Sequence, residues 1–149
     1  MRIMILRPEH IFIFHAAASL FLTGLIWFVQ LVHYPLLREI KGYNKSAYEF
    51  TRLRLTTWVF APAMLLEAGT GLWLMWKEPE LIQIELQWLG VGLLGIIWIA
   101  TFVQSTRHHI LAISFNEKVH GRLLRINWLR TGAWSARAVL VLYILCELF

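Results

Sequence analysis

Charge is what this sequence has least of. Asp, Glu, Lys and Arg make up 15% of its 149 residues, where a soluble domain carries about 25%. The few charges are segregated between long apolar blocks, hydrophobic residues reach 58%, and eight tryptophans are present. That pattern excludes a soluble domain and defines an integral membrane protein. Cysteine is nearly absent too: Cys146 stands alone, which excludes an internal disulfide and any Cys-rich metal site. No HxxxH or HxxE pair occurs within a helix, so a metal site would have to be assembled across helices. The pI near 9.8 invites a nucleic-acid reading. The basic residues, however, cluster between apolar blocks, where the positive-inside rule accounts for them, and no nucleic-acid module is present.

The length admits one domain, residues 1–149. Arg2, Arg7 and the following apolar run resemble a secretory signal, but the run continues to Leu37, too long for one; an uncleaved span is expected. Four segments meet the requirement of roughly 20 apolar residues for a membrane-crossing helix: 11–36, 55–76, 88–106 and 127–148. Ser46 and Glu49 fit a capping box that starts the second helix near Ala47, ahead of the membrane. Pro62 is expected to kink that helix, and "HHILAISF" (108–115) to lie in the interface as a short amphipathic turn. The first loop holds Arg38, Lys41, Lys45, Arg52 and Arg54, the third Arg107, Lys118, Arg122 and Arg125. The remaining flanks hold only Arg2, Arg7 and Lys77. This bias places loops one and three in the cytoplasm and both termini on the non-cytoplasmic side. The expected fold is all-α, an integral membrane four-helix bundle, in a setting such as a bacterial inner membrane.

Each span carries its polar residues at helical spacing. Span one has His15, Ser19, Thr23, Gln30 and His33; span two has Thr56, Glu67 and Thr70. Span three has Thr101, Gln104 and His108; span four has Asn127, Arg130, Trp134 and Arg137. Such stripes turn inward in a bundle. At about 1.5 Å per residue, Glu67 and Arg137 fall at the same depth, roughly 16–18 Å from the cytoplasmic end, and should pair. Gln30, His33, Gln104, His108, Asn127 and Arg130 fall nearer that end, where Arg130 either snorkels or joins the group. A Glu–Arg pair and a few amides can simply fix helix packing. Intramembrane ionisable residues converging on one side are nevertheless a functional hypothesis by default.

Span one ends "FVQLVHY" and span three "FVQSTRHH", an echo that suggests two parallel hairpins with His33 and His108 as equivalents. Two such histidines allow three chemistries: a single Cu, Fe or Zn ion held with Glu67, axial ligation of a haem, or acid/base work. His33 can equally serve only to end a helix before Tyr34 and Pro35, and His15 is expected to be a packing residue. His109 and His120 are expected in loops. Trp58, Trp76, Trp88 and Trp128 lie near span ends, as an aromatic belt does. Trp134, on the stripe of both arginines, is placed to stack on one of them or on a flat ligand.

The pattern Gln104-x3-His108-x2-Leu111, followed by Asn127-Trp128-x-Arg130-Thr131-x2-Trp134-x2-Arg137, resembles small four-span bacterial membrane proteins similar to the anthrone-oxygenase-like family. The resemblance covers about the last 45 residues. It implies a four-helix membrane bundle with an inner polar pocket, and oxidation of a flat lipophilic substrate such as a phenol, anthrone or quinol. It implies no settled cofactor, and the residues it carries over are His108, Asn127, Arg130 and Arg137. The leading expectation is therefore a small membrane oxidoreductase with a pocket open to the cytoplasmic leaflet. In it His33, His108, Glu67 and Arg137 act on the substrate, and Gln30, Gln104, Asn127, Arg130 and Trp134 bind it. The expected partners are the bilayer, a lipophilic small molecule and, for assembly, further copies or a larger membrane complex. The rival expectations are a non-enzymatic accessory subunit and a small transporter or proton path.

Overall fold

The computed structural model describes residues 7–39, 45–113 and 117–148, and side chains at 7–36, 48, 51–105 and 121–148. The described residues are helical apart from short connections and contain no strand. Helix α1 spans Pro8–Phe28 and opens with proline at its first position and Glu9 in its first turn. There the missing N–H costs nothing and a carboxylate suits the helix dipole. One wide turn of π type, Val29–His33, links it to α2, Tyr34–Glu39. Pro35 explains the turn. It has no N–H to offer Leu31 and its ring crowds that carbonyl, so the chain widens and the Tyr34 N–H bonds back to Val29 O.

Helix α3 spans Lys45–Lys77 and α4 spans Ile84–Ile113, while α5 spans Glu117–Leu148. Pro62 sits inside α3, which runs on through it as one helix. The helices extend past the expected spans because a backbone ladder needs intrachain bonds, not apolar side chains. Two expectations are corrected on that ground. The stretch from His108, expected to be an interfacial turn, continues α4 to Ile113, and His109 and His120 lie in helices rather than loops. The cap at Ser46 and Glu49 falls outside the described side chains.

Four helices are long and apolar enough to cross a membrane: Pro8–Leu36, Thr51–Lys77, Ile84–Ser105 and Gly121–Leu148. Only 11% of the most apolar window of α4 is buried inside the bundle. Its hydropathy therefore serves an outer apolar medium rather than a core. Around the bundle the order is α1, α3, α4, α5, so α1 faces α4 across the centre and α3 faces α5. Between α3 and α4, Gln87 Nε2 ties the connection by donating to Pro79 O (2.7 Å) and Ile82 O (2.8 Å).

The interior is layered. One apolar cluster joins Leu22, Ile26, Phe60, Met64, Ile97 and Trp134, and a second joins Phe12, Ala16, Leu74, Leu140 and Ile144. Between them, one turn on from Ala16, Met64 and Trp134, lie Ser19, Glu67 and Arg137. Below the first cluster, toward the basic loops, lie Gln30, Tyr34, Gln104, Asn127 and Arg130. The stripes read from the sequence thus become two polar layers separated by apolar side chains.

Candidate functional site

The central layer is an ion pair with a complete set of partners. Arg137 Nε meets Glu67 Oε1 at 2.9 Å, with the two side chains 4% and 0% exposed. Arg137 Nη1 donates to Gly90 O, and Nη2 donates to His15 Nε2 at 3.3 Å. His15 must then carry its proton on Nδ1, which donates to Glu67 O and to Thr70 Oγ1, each at 3.0 Å. Thr70 passes its own proton to Leu66 O (2.6 Å). Ser19 Oγ donates to Glu67 Oε1 (2.6 Å), and Trp134 Nε1 lies 3.4 Å from Oε2. Every nitrogen of Arg137 and both carboxylate oxygens of Glu67 are therefore engaged. The pairing expected from equal depth is present, and His15 is a member of the network rather than mere packing.

Gly71 makes that network possible. A Cβ there would stand 3.0 Å from His15 Cε1, so only glycine leaves the imidazole its seat without displacement. The cavity beside this layer, lined in part by His15 and Arg137, is small, about 60 Å³.

The inner layer is different. Asn127 Nδ2 donates to Gln30 Oε1 (2.6 Å), and Gln104 Nε2 donates to the Tyr34 hydroxyl and lies 3.4 Å from Asn127 Oδ1. Arg130 Nη1 donates to Gln104 Oε1. The guanidinium carbon of Arg130 lies over the Trp134 ring at 5.1 Å and the Phe60 ring at 5.7 Å, and the two rings, 6.0 Å apart, cover it from one side. Its Nε is buried and has no hydrogen-bond partner. Among the described residues no carboxylate pairs with it. Arg130 has joined the inner group instead of snorkelling.

These side chains end a cavity of about 300 Å³, within the range of small-molecule pockets. Its walls are Phe60, Ala61, Met64 and Leu65 of α3 and Trp98 and Thr101 of α4, with Ile26 behind them. Leu65, Thr57, Trp98 and Ser105 line it and are also exposed on the outer surface, so it opens sideways between α3 and α4. A molecule dissolved in the surrounding apolar phase could enter there without crossing water.

The structure divides the expected site residues. Gln30, Gln104, Asn127, Arg130 and, through its ring, Trp134 come together at the inner layer. Glu67 and Arg137 meet each other one layer away. His33 joins neither: it is half-buried, its Nε2 accepts from Arg52 Nη1 at 2.8 Å, and it does not line the cavity. The side chain of His108 lies outside the described residues. Of the expected metal set, the described residues therefore do not bring His33 to Glu67, and His108 lies outside them. Glu67 is committed to Arg137 and Ser19, His33 to Arg52, and no group of three His, Cys, Asp or Glu among the described residues could hold an ion.

Sequence reasoning missed Tyr34 at the inner layer and Phe60 and Met64 on the cavity wall beside it. Tyr34 had a signal, since it follows Gln30 by four residues; the cavity walls had none. Comparison with family models, curated proteins and solved structures finds no match for this chain.

Proposed function

We propose that this protein takes a flat lipophilic small molecule from the bilayer into the α3–α4 cavity and acts on it there as a small membrane oxidoreductase. The observation that carries the binding half is the apolar cavity, open sideways and ended by Arg130, Gln104 and Asn127. Apolar walls with a few convergent polar groups at one end are how small-molecule pockets combine affinity with orientation. The narrower reading, oxidation of a phenol-, anthrone- or quinol-like molecule, is supported by the resemblance across residues 104–137. With the positive-inside orientation, the mouth faces the cytoplasmic leaflet of a membrane such as the bacterial inner membrane.

No step is assigned to a metal or haem, because the donors His33 and Glu67 are engaged elsewhere. Within the cavity, Gln104 and Asn127 would orient the polar end of the substrate, and Phe60 and Trp98 would bound it. The test is saturable binding of hydroxylated polycyclic aromatics to purified protein, followed by tryptophan quenching, together with oxygen uptake on their reduced forms. Wild type is expected to bind and turn over at least one of them, and Ala61→Trp, which fills the cavity, to lose both activities while keeping its fold. Binding that survives Ala61→Trp would place the ligand elsewhere. Binding without any oxidation would leave a lipophile-binding protein and end the oxidoreductase reading.

A further inference from the structure

The proposed reading leaves open what the polar end of the ligand is, and the surroundings of Arg130 answer that. Arg130 is 8% exposed and lies nine residues into the apolar stretch that begins at Gly121, roughly 13 Å along the helix. A cation at that depth is costly and calls for a partner. Arg137, seven residues on, has one in Glu67; Arg130 has none among the described residues. Its partners are two aromatic faces and a single amide oxygen. Ring faces cover a guanidinium from above, but its N–H groups point outward in its own plane and need acceptors there. Nη1 has Gln104. Nε is buried without a hydrogen-bond partner, and among the described residues Nη2 makes no hydrogen bond either. A guanidinium with N–H groups to spare is a fork that receives two oxygens of a carboxylate, or one anionic oxygen, in its plane.

Resting on the cavity reading above, we propose that the ligand is held as a monoanion: a planar apolar body with one anionic oxygen group, seated on the guanidinium of Arg130 where that side chain lines the cavity. The body lies along Phe60, Met64 and Trp98, and the anion is sequestered among the Gln104 and Asn127 amides. One buried positive charge selects one negative charge, and the apolar walls reject a hydrated polyanion. The depth of Arg130 distinguishes a free lipophilic acid from a phospholipid, whose headgroup stays at the interface.

The experiment uses the full chain in nanodiscs of zwitterionic lipid, with anthracene carboxylate as a fluorescent probe and its neutral carboxamide as the isostere. Wild type is expected to bind the acid about 10- to 100-fold more tightly than the amide, the range of a charge-assisted hydrogen bond. Arg130→Gln should bring the acid down to the affinity of the amide and leave the amide unchanged; Arg130→Lys should fall between. Replacing part of the lipid with phosphatidylglycerol should not displace the acid. Equal binding of acid and amide to wild type overturns the anion assignment and spares the cavity, and this comparison stands even where Arg130→Gln does not fold. Displacement by phosphatidylglycerol overturns the free-acid assignment in favour of a headgroup. Failure of both probes to bind overturns the cavity reading with it.

Discussion

Arg130 and Arg137 are two turns apart on the same helix, and both are buried, at 8% and 3% exposure. Arg137 has a carboxylate, a backbone carbonyl and an imidazole, one for each nitrogen. Among the described residues, Arg130 has one amide oxygen for three nitrogens. The first adjoins a cavity of about 60 Å³ and the second one of about 300 Å³. Burial, charge and residue type are alike, so none of them separates a structural arginine from a functional one. What separates them is whether the donors are used up. A polar group that native packing leaves unsatisfied calls for an explanation, and beside an apolar cavity the one we propose is a ligand.

The comparison breaks most visibly at the closed network. Glu67→Ala strands the Arg137 cation in a dry layer and should cost about 3–5 kcal/mol in a denaturing-detergent titration. Glu67→Gln together with Arg137→Gln removes the charge as a unit and should cost less than the single alanine change. That double variant should also bind ligand as wild type does, because neither residue faces the larger cavity. A double variant that folds but has lost ligand binding would make Glu67 and Arg137 part of the site.

A smaller effect is expected at Gly71→Ala. The added methyl presses on His15 Cε1 and should destabilise by about 1–3 kcal/mol, as overpacking does. Thermal unfolding would show it, and an unchanged midpoint would mean that His15 moves freely. The smallest is His33→Ala. Bonded to Arg52 alone among the described residues and set off the cavity, His33 should change stability by no more than about 0.5 kcal/mol and ligand affinity not at all. A lost affinity there would return it to the site.

Much of this was legible in the sequence because a bilayer leaves few options. Long apolar runs gave four spans, and equal depth paired Glu67 with Arg137. The Phe-Val-Gln echo also had content: Gln30 of the wide turn after α1 and Gln104 of α4, across the bundle from each other, both lie within hydrogen-bonding reach of Asn127. What failed was phase. An ideal α-helix would bring both His33 and Tyr34, three and four residues after Gln30, back to the inner face. The wide turn imposed by Pro35 holds more residues, so Tyr34 stays under Gln30 and His33 rotates outside. His15 failed for another reason, since its partners come from α3 and α5 and no spacing within α1 reveals them. The cavity was invisible because it depends on how Ala61, Thr57 and Thr101 happen to oppose one another across α3 and α4.

The most direct test of the division between the two layers is the unfolding free energy of Arg130→Met and Arg137→Met beside wild type, in the same micelles. Arg137→Met leaves Glu67 buried without its partner and should be strongly destabilised. Arg130→Met removes a cation that the fold itself does not pair, and should be as stable as wild type or more so, the usual trade of stability for function at a binding site. Equal losses in the two variants, or a larger loss at Arg130, would show that both arginines hold the bundle together and would contradict the account.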